Sequence, residues 1–224
     1  KPHIVQIQGG PVDRLAFSRD SELLGILNGN SAAIISVATG ELLARFDLGE
    51  QHRGLAFADS EHLYVGGESG ALRVISRDLA GNWALQTLWQ SESAIRWLEA
   101  SPRADFLVLV DENNLAQQFD LTAGRIGEMV LQLPSTVEEV TFAPAGMRVL
   151  FRTSNWIHRA SSSARGLVWI DALLAPKALD HARMVFGESA AENGAALGNR
   201  LYLPVAGDGF VHMAELIFNN SKGA

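Results

Sequence analysis

The sequence predicts an all-β fold of stacked four-stranded sheets, on three observations. A short motif returns at a fixed period, the strand that follows it is apolar along its whole length, and polar turns close each hairpin at matching places. The motif is LAFS from Leu15, LAFA from Leu55, WLEASP from Trp97, VTFAP from Val140 and MVFG from Met184. With Phe17, Phe57, Leu98, Phe142 and Phe186 as markers, the spacings are 40, 41, 44 and 44 residues. A period of about 40 to 45 residues is that of one four-stranded propeller blade, and five such units are present.

The second element of each unit reads LLGIL from Leu23, HLYV from His62, FLVLV from Phe106, RVLF from Arg148 and RLYLPV from Arg200. A strand apolar on both faces must be covered on both faces, which stacked blades provide for their central strands. Turns follow at NGNS from Asn28, GESG from Gly67, DENN from Asp111, TSN from Thr153 and GDG from Gly207. Asn, Asp and Gly tolerate the positive φ that tight hairpins demand. Third and fourth strands complete the unit, as in ISVATGELLARFDL from Ile35, ISRDLAGNWALQTLW from Ile75 and FDLTAGRIGEMVLQL from Phe119.

These residues resemble the WD40-repeat β-propellers. Phe119-Asp120 stands where that family has its Trp-Asp pair, Ile35-Ser36 and Ile75-Ser76 hold the equivalent places, and LAFSRDSELLGI is similar to the strand-one signature and its turn. The resemblance covers residues 11 to 133 closely and 134 to 216 loosely. It implies a noncatalytic scaffold for protein partners, with no cofactor. The sequence departs from the family in having no Gly-His dipeptide and no Trp-Asp pair, so the buried hydrogen-bond tetrad of many such blades is expected to be missing or altered. Unit four places SNWIHRASSSARGLVWIDALL where strands three and four belong, unit five inserts ESAAENGAALGN before its second strand, and Pro204 falls inside a strand read as central. DALLAPKALDH, from Asp171, reads as strand four and a linker, because Pro176 interrupts any helix.

The expected organisation is a single propeller domain over 1–224, with units near 11–50, 51–91, 92–134, 135–178 and 179–217. Residues 1–10 hold HIVQI, from His3, which either closes a ring as the fourth strand of unit five or is the last strand of another blade. The start at Lys1, with no signal-peptide apolar region, favours a chain processed, engineered or cut from something longer, in which these blades are part of a larger propeller.

Composition narrows the function classes. A net charge of −7, with only three lysines among 18 basic residues, argues against a general nucleic-acid surface. Arginine-rich, lysine-poor usage points to a GC-rich bacterial source. The absence of cysteine removes disulfides, thiolate nucleophiles and cysteine-ligated metals; it suits the periplasm slightly and leaves cytoplasm and periplasm both open. No apolar run approaches the roughly 20 residues of a membrane-spanning helix.

No local chemistry stands out. His3, His52, His62, His158, His181 and His212 have no metal-ligand spacing, and turn or edge positions account for them. No nucleophile elbow or phosphate loop occurs, and DENN from Asp111 lacks the alternating oxygens of a calcium loop. Glu138 and Glu139 are not assigned acid–base roles, since neighbouring strand residues point to opposite faces.

Two stretches remain as binding candidates. Arg148 to Arg165 carries four arginines, Trp156 and His158 and no acid, which nominates Arg152, Trp156, His158 and Arg159 for a protein contact. Alternatively, Trp156 and Ile157 are core residues and the arginines pair with acids. Arg14, Arg53, Arg96 and Trp97 precede or begin the innermost strands and nominate the channel side, where the arginines converge on an anion or merely sit in solvated loops, Trp97 then being a core aromatic. The expected function is therefore an interaction scaffold, docking or sensor domain with a protein partner. The competing reading is an enzyme or small-anion sensor using the central channel.

Overall fold

The computed structural model describes residues 11–144, 146–175, 184–187, 200–207 and 210–217, the strands after residue 184 by their backbone alone. The expected closing strand at His3, the insertion ESAAENGAALGN, His181 and the second half of DALLAPKALDH lie outside the described residues. All described regular structure is β, in antiparallel sheets whose strands pair in chain order. No described helix is long and apolar enough to cross a membrane.

The first sheet is β1 (Arg14–Phe17), β2 (Leu23–Asn28), β3 (Ser31–Ser36) and β4 (Leu42–Asp47). The second is β5 (His52–Phe57), β6 (His62–Gly67), β7 (Ala71–Arg77) and β8 (Trp83–Gln90). The third is β9 (Ile95–Ala100), β10 (Phe106–Asp111), β11 (Leu115–Asp120) and an outer strand in two pieces, β12 (Arg125–Ile126) and β13 (Leu131–Gln132). The fourth is β14 (Glu139–Phe142), β15 (Arg148–Arg152), β16 (Trp156–Ser163) and β17 (Gly166–Leu174), so the arginine-rich unit four does supply strands three and four. Three strands make the fifth: β18 (Val185–Gly187), β19 (Arg200–Gly207) and β20 (Phe210–Ile217). Pro204 lies in β19 beyond the three residues that pair with β18, so one edge is open there among the described residues, a setting in which a missing N–H is tolerated.

The chain divides into two compact units, one of Lys1–Pro134 with Ala164–Leu167 and the other of Ser135–Ser163 with Val168–Ala224. In the first unit, alternation along each strand sends successive side chains to opposite faces, and both faces of the second sheet are used. Leu55, Phe57, Leu63, Val65 and Ile75 pack with Leu23, Leu27 and Ile34 of the first sheet. The alternate residues Ala56, Tyr64, Leu72 and Val74 pack with Leu98, Leu107, Leu109 and Phe119 of the third. This explains the strands that are apolar throughout: Leu63, Val65, Leu72, Ile75, Leu107 and Val108 are completely buried. On the far face of the first sheet, Leu15 and Phe17 are exposed.

The register corrects one sequence marker. In each unit one residue at or next to the end of the inner strand pairs with the second residue of the next strand: Phe17 with Leu24, Phe57 with Leu63, Ala100 with Leu107, Phe142 with Val149 and Phe186 with Leu201. The third member is thus Ala100, not Leu98, and the spacings become 40, 43, 42 and 44. A phenylalanine-based marker missed it because this sheet has an alanine at the position.

The repeat is also fixed by hydrogen bonds that side-chain patterns do not show. The residue just past the fourth strand donates its amide to the turn between strands two and three: Leu48 to Asn30 O, Ser91 to Gly70 O, Leu133 to Asn114 O and Ala175 to Asn155 O. Gln90 and Gln132 reinforce two of these ties, donating Nε2 to Ser69 O and to Asn113 O at 2.8 Å. In the first turn, Asp20 accepts from the Ser18 and Ser60 hydroxyls and the Glu22 amide, which pulls its carboxyl down to about 2.

The second sheet holds a network centred on Glu50. Its carboxylate accepts from Arg73 Nη2 at 2.9 Å and from the Ser69 amide and hydroxyl at 2.7 and 2.8 Å, while Arg73 also donates to Leu48 O. Burial works to raise the Glu50 carboxyl, but the Ser69 bonds with His52 and Arg73 hold it below its ordinary value. His52, 2% exposed, donates Nδ1–H to Glu50 O at 2.8 Å, and burial lowers its pKa. A connection between two sheets is thereby anchored to a turn of the second by an ion pair.

Candidate functional site

Of the four channel-side candidates, Arg14, Arg53 and Trp97 come together in the first unit through the inner strands β1, β5 and β9. Arg14 Nε donates to Arg53 O at 3.1 Å, and its guanidinium lies 4.1 Å from the centre of the Trp97 ring. Arg53 reaches Glu68 at 3.6 Å, both side chains being about half exposed. Arg96 is half-buried, and no ion pair holds it among the described residues.

Pairing explains how these cations are aimed. In β5, His52 pairs with Gly67 and Gly54 with Gly66, leaving Arg53 as the extra residue of a β-bulge. In β9, Ile95 pairs with Asp111 and Trp97 with Val110, leaving Arg96 as the extra residue of a second bulge. A bulged residue leaves the ladder and turns its side chain out of the regular alternation, as binding sites often require. Arg53 and Arg96 therefore hold one position in two successive sheets. Arg14 is one residue further along; the matching place in the first sheet is Asp13, whose carboxylate accepts from the Gly29 amide at 2.6 Å. The spacing of arginines in the sequence is thus two equivalent bulge positions and one neighbour.

Close packing holds this cluster. Gly54 and Gly66 face each other across β5 and β6, and a Cβ on Gly54 would stand 2.8 Å from the Leu98 Cβ, one on Gly66 2.5 Å from the Ile95 Cγ2. Only the missing side chains let β9 approach.

The second set of candidates is divided by the fourth sheet. Arg152 is 7% exposed, with Nε 3.0 Å from Glu139 and Nη1 2.6 Å from Glu138. His158 is buried, and burial lowers its pKa. Arg159 forks onto Asp171, whose carboxyl that bond holds below the usual range. Trp156 alone is open, at 43% exposure, beside the fully buried Ile157. Arg152 and Arg159 are balanced by acids at strands one and four of their own sheet, and Arg165 lies 3.2 Å from Glu128, so the stretch is not a free basic surface. Glu138 and Glu139 do converge, because β14 begins at Glu139 and Glu138 lies outside the strand alternation.

Sequence reading missed a pocket in the first unit. A cavity of about 280 Å³ lies between the second and third sheets, lined by His62, Tyr64, Val74, Leu88, Phe119 and Leu121 among others. His62 and Tyr64 looked like strand residues, and only the pairing of His62 with Ser76 and of Tyr64 with Val74 places them on one face. Among the described residues no group of three or more His, Cys, Asp or Glu side chains has the geometry to hold a metal ion.

Comparison with solved structures agrees with this architecture. A chain of the Mitotic Checkpoint Complex superposes with a TM-score of 0.66 at 14% identity, covering 96% of this chain and 67% of its own length. The Cps50 (Swd1) β-propeller domain of Myceliophteria thermophila superposes with a TM-score of 0.62 at 11% identity, covering 92% and 73%. No protein-family model and no curated protein matches the sequence. The fold is a β-propeller built of WD40-like blades.

Proposed function

We propose that this chain is a noncatalytic protein-interaction platform that takes an acidic segment of a partner at Arg14, Arg53, Arg96 and Trp97. The observation that carries the reading is the repeated bulge, which sets Arg53 and Arg96 out of two neighbouring inner strands beside an aromatic ring already stacked with a third guanidinium. Guanidinium forks bind carboxylates in pairs, and Trp with Arg is the composition of binding hot spots. The likeness to a chain from a complex of proteins supports a partner of the same general kind. Nothing in the arrangement needs a cofactor.

The test is a fluorescence-anisotropy titration with a labelled Glu-Ala-Glu-Ala-Glu peptide. The double variant Arg53→Ala/Arg96→Ala is expected to weaken binding by about tenfold or more, at roughly 1 kcal/mol for each charge-assisted contact removed. Raising the salt to 0.5 M weakens the parent protein in the same way. Equal affinity of parent and variant rejects the site. The competing reading, a sensor of small anions in the channel, draws on the same arginines; inorganic phosphate displacing the peptide at micromolar concentration would favour it.

A further inference from the structure

Next to the bulge that carries Arg53, the ring of His52 sets a bare nitrogen against a carboxylate. The Glu50 carbonyl can only accept, so the contact at 2.8 Å fixes the proton of the neutral ring on Nδ1 and leaves Nε2 as an acceptor. That Nε2 is buried and has no hydrogen-bond partner among the described residues. It stands 3.9 Å from Glu50 Oε1, which is a second acceptor. The missing side chain of Gly67 leaves the space beside them open: a Cβ there would lie 3.1 Å from Nε2 and 2.7 Å from Oε1. Two buried acceptors that face each other are costly. One proton on Nε2, with an approach of about 1 Å, turns the same contact into a charge-assisted hydrogen bond.

The charges around the ring oppose one another. Burial lowers its pKa and Arg73 acts in the same direction, whereas the Glu50 carbonyl, the Glu50 carboxylate and the Glu68 carboxylate raise it. Glu68 also lies 3.6 Å from Arg53. The first sheet adds Asp13, bonded to the Gly29 amide, and Gly29 O accepts from the His52 amide at 3.3 Å. His52 is the last paired residue before Arg53, so a partner carboxylate bound at Arg53 brings negative charge into this balance and draws Arg53 away from Glu68. Both changes favour a protonated ring. We infer that His52 is a proton-linked control of the arginine site: it takes up a proton at Nε2 when an acidic segment binds beside it, and acidification in turn tightens that binding. Linkage makes these one statement, since the free energy by which the anion favours the proton is that by which the proton favours the anion. This rests on the reading of Arg53 and Arg96 as a docking site.

The experiment follows the His52 ring nitrogens of the full chain by NMR from about pH 8 to about pH 5, alone and saturated with the Glu-Ala-Glu-Ala-Glu peptide, whose carboxylates stay mostly ionised in that range. Saturation is expected to raise the His52 midpoint by about half a pH unit, which by linkage makes the peptide bind about threefold more tightly to the protonated than to the neutral form. Anisotropy titrations at the two ends of the range read that ratio in the parent and lose it in His52→Gln, which keeps an N–H donor but takes no proton; the peptide's own titration is common to both. A midpoint that stays in place or falls while the peptide binds overturns the inference, needs no variant, and leaves the arginine site standing. A pH dependence kept in full by His52→Gln overturns it as well. Failure of the peptide to bind at any pH, or binding indifferent to Arg53→Ala/Arg96→Ala, rejects the arginine site itself, and the control by His52 falls with it.

Discussion

Glu139→Ala destabilises the fourth sheet by about 3 kcal/mol or more, the cost of leaving one member of a buried ion pair without its partner. Arg152 stays 7% exposed and cannot move its charge to water, while its Nε loses the carboxylate at 3.0 Å. The substitution also strips the Met184 amide of the Glu139 Oε1 acceptor at 2.9 Å. Glu138, with a side chain 41% exposed, remains on Nη1 and compensates only in part. Replacing both partners, as in Glu139→Leu/Arg152→Met, recovers most of the loss, because the desolvation of both charges disappears with them. Urea unfolding of the single and double variants checks this. A single variant within 1 kcal/mol of the parent would mean that the pair is not buried as described.

Gly66→Val costs about 3 kcal/mol through a different cause, overpacking between sheets. Its first carbon alone would meet the Ile95 Cγ2 at 2.5 Å and the Ile95 Cβ at 2.9 Å, and Ile95 is 2% exposed with nowhere to go. Trimming the obstacle with Ile95→Ala relieves part of the clash, so the double variant is more stable than the sum of the two single losses predicts. Strictly additive losses in chemical denaturation would show that β6 and β9 do not approach this closely. Because Gly66 pairs with Gly54 next to the Arg53 bulge, the same substitution weakens binding of the acidic peptide.

The strands, their antiparallel order and the blade period were legible because each leaves a local mark: apolar runs, positive-φ turn residues, and repetition. What escaped was whatever depends on register. Arg53 and Arg96 stand 43 residues apart as equivalents, but only the pairing shows that both are bulges and that Arg14 is offset by one. Arg152 reads as a surface cation because its acids lie 13 and 14 residues away across a hairpin. His62 and Tyr64 carry no motif, since their interest comes from a neighbouring sheet that leaves a gap beside them. The Glu50–Arg73 pair was not legible, because an ion pair spanning 23 residues has no local pattern.

The central claim is that two bulged arginines and Trp97 form the docking site of an acidic partner segment. It is tested most directly by mapping amide and indole N–H shifts across the labelled protein as the Glu-Ala-Glu-Ala-Glu peptide is added. The account predicts shifts gathered at Asp13–Arg14, His52–Gly54 and Ile95–Trp97, with the Trp97 indole among the largest. Shifts centred on Trp156, or none at the inner strands while the peptide is bound, would contradict it.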